Sequence, residues 1–296
     1  MSLPPECPLV SIVVITYNSA EYVLETLESA KAQTYQNIEL IVSDDCSVDN
    51  TVETCSRWIE HNKARFVRTK LITIEKNSGI PANCNRGVKA ARGEWVKGLA
   101  GDDLISEDFV SKCLDGVIPP EVGIIYTNSN FINAQGEVTG KANSSNYKSG
   151  HVFDDLFFLR FWPKAPSLML RFSALKEFGF FDESIWVEDY LMVLKIASKY
   201  QLCHIDEFLT HYRIHGSNSG GNHIRLYQAQ LSTIERFKDY PGYPARRRNI
   251  LLQILEIDSI GQPRKVLKLI RENLRFLICP KGVSALFGTL WSLVKS

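Results

Sequence analysis

Residues 9–15, LVSIVVI, form an unbroken run of apolar and largely β-branched side chains, and the polar loop TYNSAEY follows at once. Leu24, Leu27 and Ala30 then recur at helical spacing. The same order returns as IELIVSD (38–44), DDCSVDN and a helix from about Thr51, and again as LITIE (71–75), KNSG and a helix over 81–92 with Pro81 in its first turn. EWVKGLA (94–100) adds a fourth strand. A strand that is apolar at nearly every position is covered on both faces. Strand, loop and helix in regular alternation leave one solution, βαβ units with right-handed crossovers in an α/β fold with a mostly parallel sheet. Ligands of such sheets bind beyond the carboxyl ends of the strands. TYN, DDCS, KNSG and AGDD all fall at those ends, so four polar clusters share one rim.

The second half is less regular. VGIIYTN (122–128) reads as a strand, residues 133–151 as a hairpin or mobile loop rich in Gly, Ser and Asn, and 187–199 as a helix turning Leu191, Leu194 and Ile196 inward. Beyond His223 the pattern is helical, with breaks at Pro241–Pro244, Gly261–Pro263 and Pro280. The expected division is an α/β domain over 1–222 and a helical, basic extension over 223–296.

A net charge of +1 argues against a general nucleic-acid binder. The charge is polarised: residues 241–296 hold ten Lys/Arg and three Asp/Glu, leaving a net −6 on residues 1–240. The seven cysteines are scattered, with no C-x-x-C pair, which suits a reducing compartment and suggests neither zinc site nor disulfide framework. MSLPPECP lacks the pattern of a signal peptide, and no run of about eighteen apolar residues is present. A cytoplasmic location is the expectation.

Asp102 and Asp103 stand side by side where the fourth strand ends. Adjacent carboxylates repel unless a cation or hydrogen-bond donors offset them. The plainer reading is a helix start, where acidic residues are favoured. The surrounding sequence bears on the choice. VSIVVITYNSAEYVLETLESAKAQTYQNIELIVSDDCSVDNT, NSGIPANCNRGVKAARGEWVKGLAGDD and GFFDESIWVEDYLMVLKIA, in this order, resemble family 2 glycosyltransferases over about residues 8–218. The resemblance implies a GT-A nucleotide-sugar-binding fold, a nucleotide-diphosphate sugar as donor, and transfer with inversion to a saccharide acceptor, sugar-chain or lipid-linked, in polysaccharide or glycan biosynthesis.

By the same resemblance Thr16, Tyr17 and Asn18 lie against the nucleotide base, and Asp45 hydrogen-bonds it. Asn85 belongs to the donor-binding set. Asp102 is read as a ribose ligand and Asp103 as the ligand of a divalent Mn²⁺ or Mg²⁺ that bridges the diphosphate, a task suited to oxygen donors. His215, in YRIHGSNSG, approaches the metal or diphosphate, and Arg213 could face phosphate. Asp189 is the base that takes the proton of the attacking hydroxyl, with Glu188 its competitor; the alternative for both is placement at a helix amino terminus. Two positions depart from the family pattern: Ala100 where many members have an aspartate, and Cys84 where many have an arginine.

The carboxyl-terminal stretch, with RRR at 246–248 and PRKVLKLIRENLRFLI, reads either as a basic element on an anionic membrane surface or as a helix packed on the domain. Rival functions are a sugar-phosphate nucleotidyltransferase and a degenerate, non-catalytic GT-A binding protein. The former should carry a glycine-rich loop after the first strand, and TYNSAEY has no glycine.

Overall fold

The computed structural model describes residues 7–142, 146–216 and 223–258. The chain divides into two compact units, Met1–Ser217 and Asn218–Ser296. The first begins as the pattern requires: β1 (Val10–Thr16), α1 (Val23–Lys31), β2 (Ile38–Asp44), α2 (Thr51–Asn62), β3 (Arg68–Ile72), α3 (Ile80–Lys89) and β4 (Trp95–Ala100). Strands β3, β2, β1 and β4 lie side by side in that order, all parallel. Val10, Ile12 and Val14 of β1 meet Leu40 and Val42 of β2 and Val23 and Leu27 of α1 in the main core. On the opposite face α3 runs close over β1, and a Cβ at Gly87 would collide with the Val13 side chain. Gly87 therefore sets how near the helix can come.

The third strand lies three residues earlier than the apolar run LITIE predicts. Its register is set by pairing: Arg68 stands opposite Glu39 one step along and closes an ion pair of 2.7 Å to that buried carboxylate. Strand β3 also ends at Ile72, level with Ser43 near the end of β2.

Beyond β4 the sheet is mixed. The chain forms β5 (Leu104–Ile105), α4 (Phe109–Cys113), β6 (Val122–Ile132), β7 (Val138–Ala142), α5 (Phe153–Phe157), β8 (Leu168–Arg171), α6 (Phe172–Glu177), α7 (Glu188–Ala197) and β9 (Gln201–Arg213). The sheet continues β4-β8-β6-β9-β5, with β7 paired to β6 as a hairpin. Strand β8 is antiparallel to both β4 and β6, whereas β6 and β9 are parallel. The expected strand at 122–128 thus extends to Ile132, and β8 and β9 are additions. Strand β9 escapes a pattern search because QLCHIDEFLTHYR mixes Cys, His, Asp, Glu and Arg into its length. Its pairing is what builds the site: Leu104 lies against His211, and Phe131 and Ile132 against Tyr212 and Arg213.

The second unit contains α8 (His223–Ile234) and α9 (Tyr243–Asp258). Within it Arg246 is buried and donates to Gln230 Oε1 at 2.8 Å, while Arg247 pairs with Glu235 and donates to the Tyr243 hydroxyl. Two of the three arginines at 246–248 are therefore engaged inside this unit, not displayed together on a basic face. Residues 259–296, which hold most of the membrane-surface reading, lie outside the described residues. No helix among the described residues is long and apolar enough to cross a membrane.

Candidate active site

The loops after β1 and β2 are stitched together before any ligand arrives. Thr16 is buried and its hydroxyl donates to Asp44 Oδ2 at 2.8 Å; its carbonyl accepts from the Asp45 amide and from Asn83 Nδ2. Asn18 adopts a left-handed φ of 51°, which asparagine tolerates better than most residues. Its amide donates to Ser47 Oγ and its Oδ1 accepts from the Val48 amide. Tyr17 projects into solvent, 51% exposed, with Val48 on the loop after β2 and Ile80 at the start of α3 also exposed. These apolar surfaces suit the face of a base.

Asp45 sits elsewhere than the sequence reading places it. It is buried, and its carboxylate accepts from the amides of Ser78 and Gly79, the Ser78 hydroxyl and Arg86 Nη2, at 2.7–3.1 Å. Burial alone would raise its pKa, but these bonds outweigh that and hold the carboxyl below the usual range. A carboxylate has about four acceptor positions, so little capacity is left for a base. Asp45 orders the turn into α3, where Gly79 takes a φ of 90°. The positive charge that Cys84 lacks is present two residues on, in Arg86. The turn before α2 is capped by Asp49, which accepts from the Thr51 amide at 3.0 Å.

Asn85 is also reassigned. Its side chain donates to the Phe181 carbonyl and Glu183 and accepts from the Phe181 amide, all within 2.9 Å. It clamps the loop that leads into α7. Cys84 is buried, its sulfur 3.9 Å from Glu188 Oε1.

At the end of β4 the two aspartates diverge. Asp103 is 3% exposed, and its Oδ1 accepts from the Arg213 amide at 2.9 Å. Burial, then the adjacent Asp102 charge, push its carboxyl well above the usual range. Asp103 is thus the inward-facing member of the pair, held by the backbone of Arg213. Asp102 turns outward instead: its Oδ2 lies 2.9 Å from His215 Nε2, with the two side chains 25% and 13% accessible. A carboxylate and an imidazole are both donors that a divalent metal accepts. Among the described residues no group of three or more His, Cys, Asp or Glu gathers around one point. One or two protein ligands plus substrate phosphates is the usual arrangement for Mg²⁺.

Arg213 does not face phosphate. It is fully buried, and its guanidinium donates to the carbonyls of Asp102, Asn133 and Ala134 and pairs with Glu25 Oε2 at 2.6 Å. Its guanidinium lies 4.7 Å from the centre of the Tyr22 ring, which is itself 5.0 Å from the His215 ring. Arg213 thus rivets α1, the Asp102 loop and the β6–β7 turn together. Tyr22 and Glu25, unassigned by motif, hold this rivet.

Glu188 and Asp189 open α7, partly accessible yet closely surrounded. Burial first and the Asp189 charge second push Glu188 up to about 8. Burial likewise pushes Asp189 up to about 6, against the amides of its own turn and the charge of Lys164. Tyr212 links the two sides of the site: burial, then Asp103, Asp102 and Asp189, raise its phenol. Lys97 is fully buried in β4 near Asp103 and donates to the carbonyls of Gly98, Pro166 and Leu168. A lysine in the apolar run EWVKGLA was the one sequence signal for it.

With this geometry in place, the chain's relatives can be set beside it. The family model described as glycosyl transferase family 2 matches residues 11–179. A chondroitin synthase of Escherichia coli is 28% identical over 250 residues, covering 79% of this chain and 34% of that protein. The chain spans about a third of the length of the first curated relatives it matches. Among solved structures, S. aureus TarS 1–349 in complex with UDP-GlcNAc superposes with a TM-score of 0.66 at 18% identity, covering 90% of this chain and 81% of that one. A mannosyltransferase, PcManGT from Pyrobaculum calidifontis in complex with GDP-Man and Mn²⁺, gives 0.60 at 16% identity, with coverages of 98% and 86%.

Proposed function

The chain belongs to glycosyl transferase family 2, and from that premise we propose that it moves a sugar from a nucleotide-diphosphate donor to a saccharide hydroxyl with inversion at the anomeric carbon. The observation that carries this reading is Asp189, a carboxylate pushed up to about 6 at the start of α7, sharing Tyr212 as a neighbour with the Asp102–His215 side. A general base serves best when its pKa lies near working pH. Asp189 meets that condition, while Glu188 is raised by burial and further by the Asp189 charge.

In the reaction the acceptor O–H gives its proton to Asp189 as its oxygen bonds to the anomeric carbon. The bond from that carbon to the diphosphate breaks, and its electron pair leaves with the nucleotide diphosphate. Attack from the face opposite the leaving group inverts the centre. Tyr17, Val48 and Ile80 supply apolar surface for the base, and Asn18 holds their loops in position. Asp102 and His215 would hold a divalent metal; when bound, that ion offsets the charge arriving on the diphosphate. Support for such a donor comes from the fold-neighbours, whose complexes contain UDP-GlcNAc and GDP-Man with Mn²⁺.

The test is nucleotide release from a panel of UDP- and GDP-sugars, with Mn²⁺ and with EDTA. One donor should be consumed in the presence of acceptor, with the opposite anomeric configuration in the product. Retained configuration would overturn the single-displacement reading. We further propose that the basic carboxyl-terminal stretch holds the enzyme at an anionic membrane surface, within reach of a lipid-linked acceptor.

A further inference from the structure

The segment Trp162–Pro163–Lys164, between α5 and β8, has no part in the roles assigned so far. Its backbone is pinned at both ends. The Tyr147 hydroxyl donates to the Trp162 carbonyl at 3.0 Å, and the Ser167 amide and hydroxyl donate to the Lys164 carbonyl at 2.8 and 2.7 Å. Pro163 is buried, while Trp162 and Lys164 are half-buried.

Both half-buried side chains gather at the start of α7. The Trp162 ring stands edge-on to Tyr190, centroids 4.8 Å apart, and Tyr190 directly follows Asp189. The Lys164 ammonium lies 5.8 Å from the centre of Phe131, which sits 6.2 Å from Tyr212. Lys164 is also near enough to Asp189 to favour its charged form. Yet among the described residues Lys164 closes no ion pair within 4 Å, although the Asp189 carboxylate is near enough to feel its charge. An ammonium beside an aromatic ring that makes no direct ion pair keeps its hydrogen-bond donors available for an anion that arrives with a ligand. An aromatic ring beside it supplies the flat apolar face that a sugar ring covers.

We propose that Trp162 and Lys164 form the acceptor subsite, with a sugar ring on Trp162 and its carboxylate or phosphate on Lys164, so that the acceptor is an anionic saccharide. This rests on Asp189 being the base, since the subsite flanks that residue and not the loops after β1 and β2. A neutral saccharide leaves the ammonium unpaired, which is how the site discriminates against it.

Binding to the full chain is measured by titration calorimetry in Mn²⁺ with UDP or GDP, whichever raises its melting temperature. Three probes are used: a glucuronate-containing tetrasaccharide, a phosphodiester-linked sugar tetramer and a neutral N-acetylglucosamine tetramer. One anionic probe should bind at least tenfold tighter than the neutral one, which identifies carboxylate or phosphate. Lys164→Gln should erase that preference and leave neutral-probe and nucleotide affinities within twofold, while Lys164→Arg keeps it. Trp162→Ala should weaken every probe. Equal binding of all three probes, or an unchanged preference in Lys164→Gln, overturns the inference. So does a Lys164→Gln variant that loses nucleotide affinity, which would place Lys164 on the donor diphosphate. Wild-type turnover by Asp189→Asn would remove the assignment beneath the subsite, a result distinct from any of these.

Discussion

Two neighbouring carboxylates, Glu188 and Asp189, differ in what their surroundings ask of them, and their titration should separate them. Asp189 at about 6 must lose its proton to act, so kcat/KM should rise with pH through that value and level off. Asp189→Asn should slow transfer by about a hundredfold or more and remove this limb. Glu188→Gln leaves Asp189 in place and should retain the limb. Both folded pKa values lie above those of the unfolded chain, so both groups contribute stability at low pH that is lost as pH rises through about 6 and about 8. Glu188→Gln should therefore melt above wild type at pH 9 and close to it at pH 5, as calorimetry can check. At the end of β4 the same logic separates another pair. Asp102→Asn should weaken Mn²⁺ binding at least tenfold, read from the free-ion paramagnetic resonance signal. Asp103→Asn, which keeps an acceptor for the Arg213 amide, should leave it within about threefold, since that side chain is buried and turned toward the Arg213 backbone. The opposite result would return the metal to Asp103.

The elements that position these residues were legible in the sequence to different degrees, for physical reasons. The strands β1, β2 and β4 announce themselves because a parallel strand covered on both faces must be apolar throughout. Helix α3 shows itself by Pro81 and by the small Gly87 that packs on Val13. Strand β9 does not, because Cys, His, Asp, Glu and Arg interrupt its apolar positions, and its last residues, Tyr212 and Arg213, serve the site. Motif resemblance singles out Asp102, Asp189 and His215 as candidates but does not say which way Asp45, Asn85, Asp103 and Arg213 turn, since direction is decided by partners distant in sequence such as Ser78, Phe181 and Glu25. Lys97 shows what a strand tolerates when its charge has partners: burial pulls its pKa down to about 7 while nearby Asp103 opposes the fall. A lysine depressed in the folded state binds its proton more weakly there than when unfolded. Stability should thus rise with pH between about 7 and 10, by at most about 1.4 kcal/mol per unit. Lys97→Met should flatten that slope. Urea midpoints at pH 7.5 and 9.5, followed by tryptophan fluorescence, test it, because four of the five tryptophans precede residue 218. An unchanged slope would mean that Lys97 titrates normally.

Across the whole chain the charge is divided, net −6 before residue 241 and ten basic against three acidic residues after it. The placement of Arg246 and Arg247 narrows where that surplus can act. One donates inward to Gln230 and the other pairs with Glu235. Residues 259–296 still hold seven Lys/Arg and one acidic residue, and five of the seven fall between Arg264 and Arg275. An anionic surface attracts each nearby basic residue by about 1 kcal/mol, fading within a Debye length of about 8 Å in physiological salt. Five together are ample for reversible docking, and Phe276, Leu286, Phe287 and Trp291 add apolar surface that could enter the headgroup region. The full chain should sediment with vesicles rich in phosphatidylserine, stay in solution with phosphatidylcholine alone, and be released by about 0.5 M salt, where the screening length falls toward a few ångströms. Replacing Arg264, Lys265, Lys268, Arg271 and Arg275 by glutamine should abolish sedimentation while circular dichroism and nucleotide binding stay unchanged. Arg246→Gln tests the converse: it should lower the melting temperature, because the inward bond to Gln230 is lost, and leave vesicle binding of the folded protein intact. Full-length protein that ignores anionic vesicles at low salt would sink the docking proposal, and the acceptor would then have to reach Asp189 from solution.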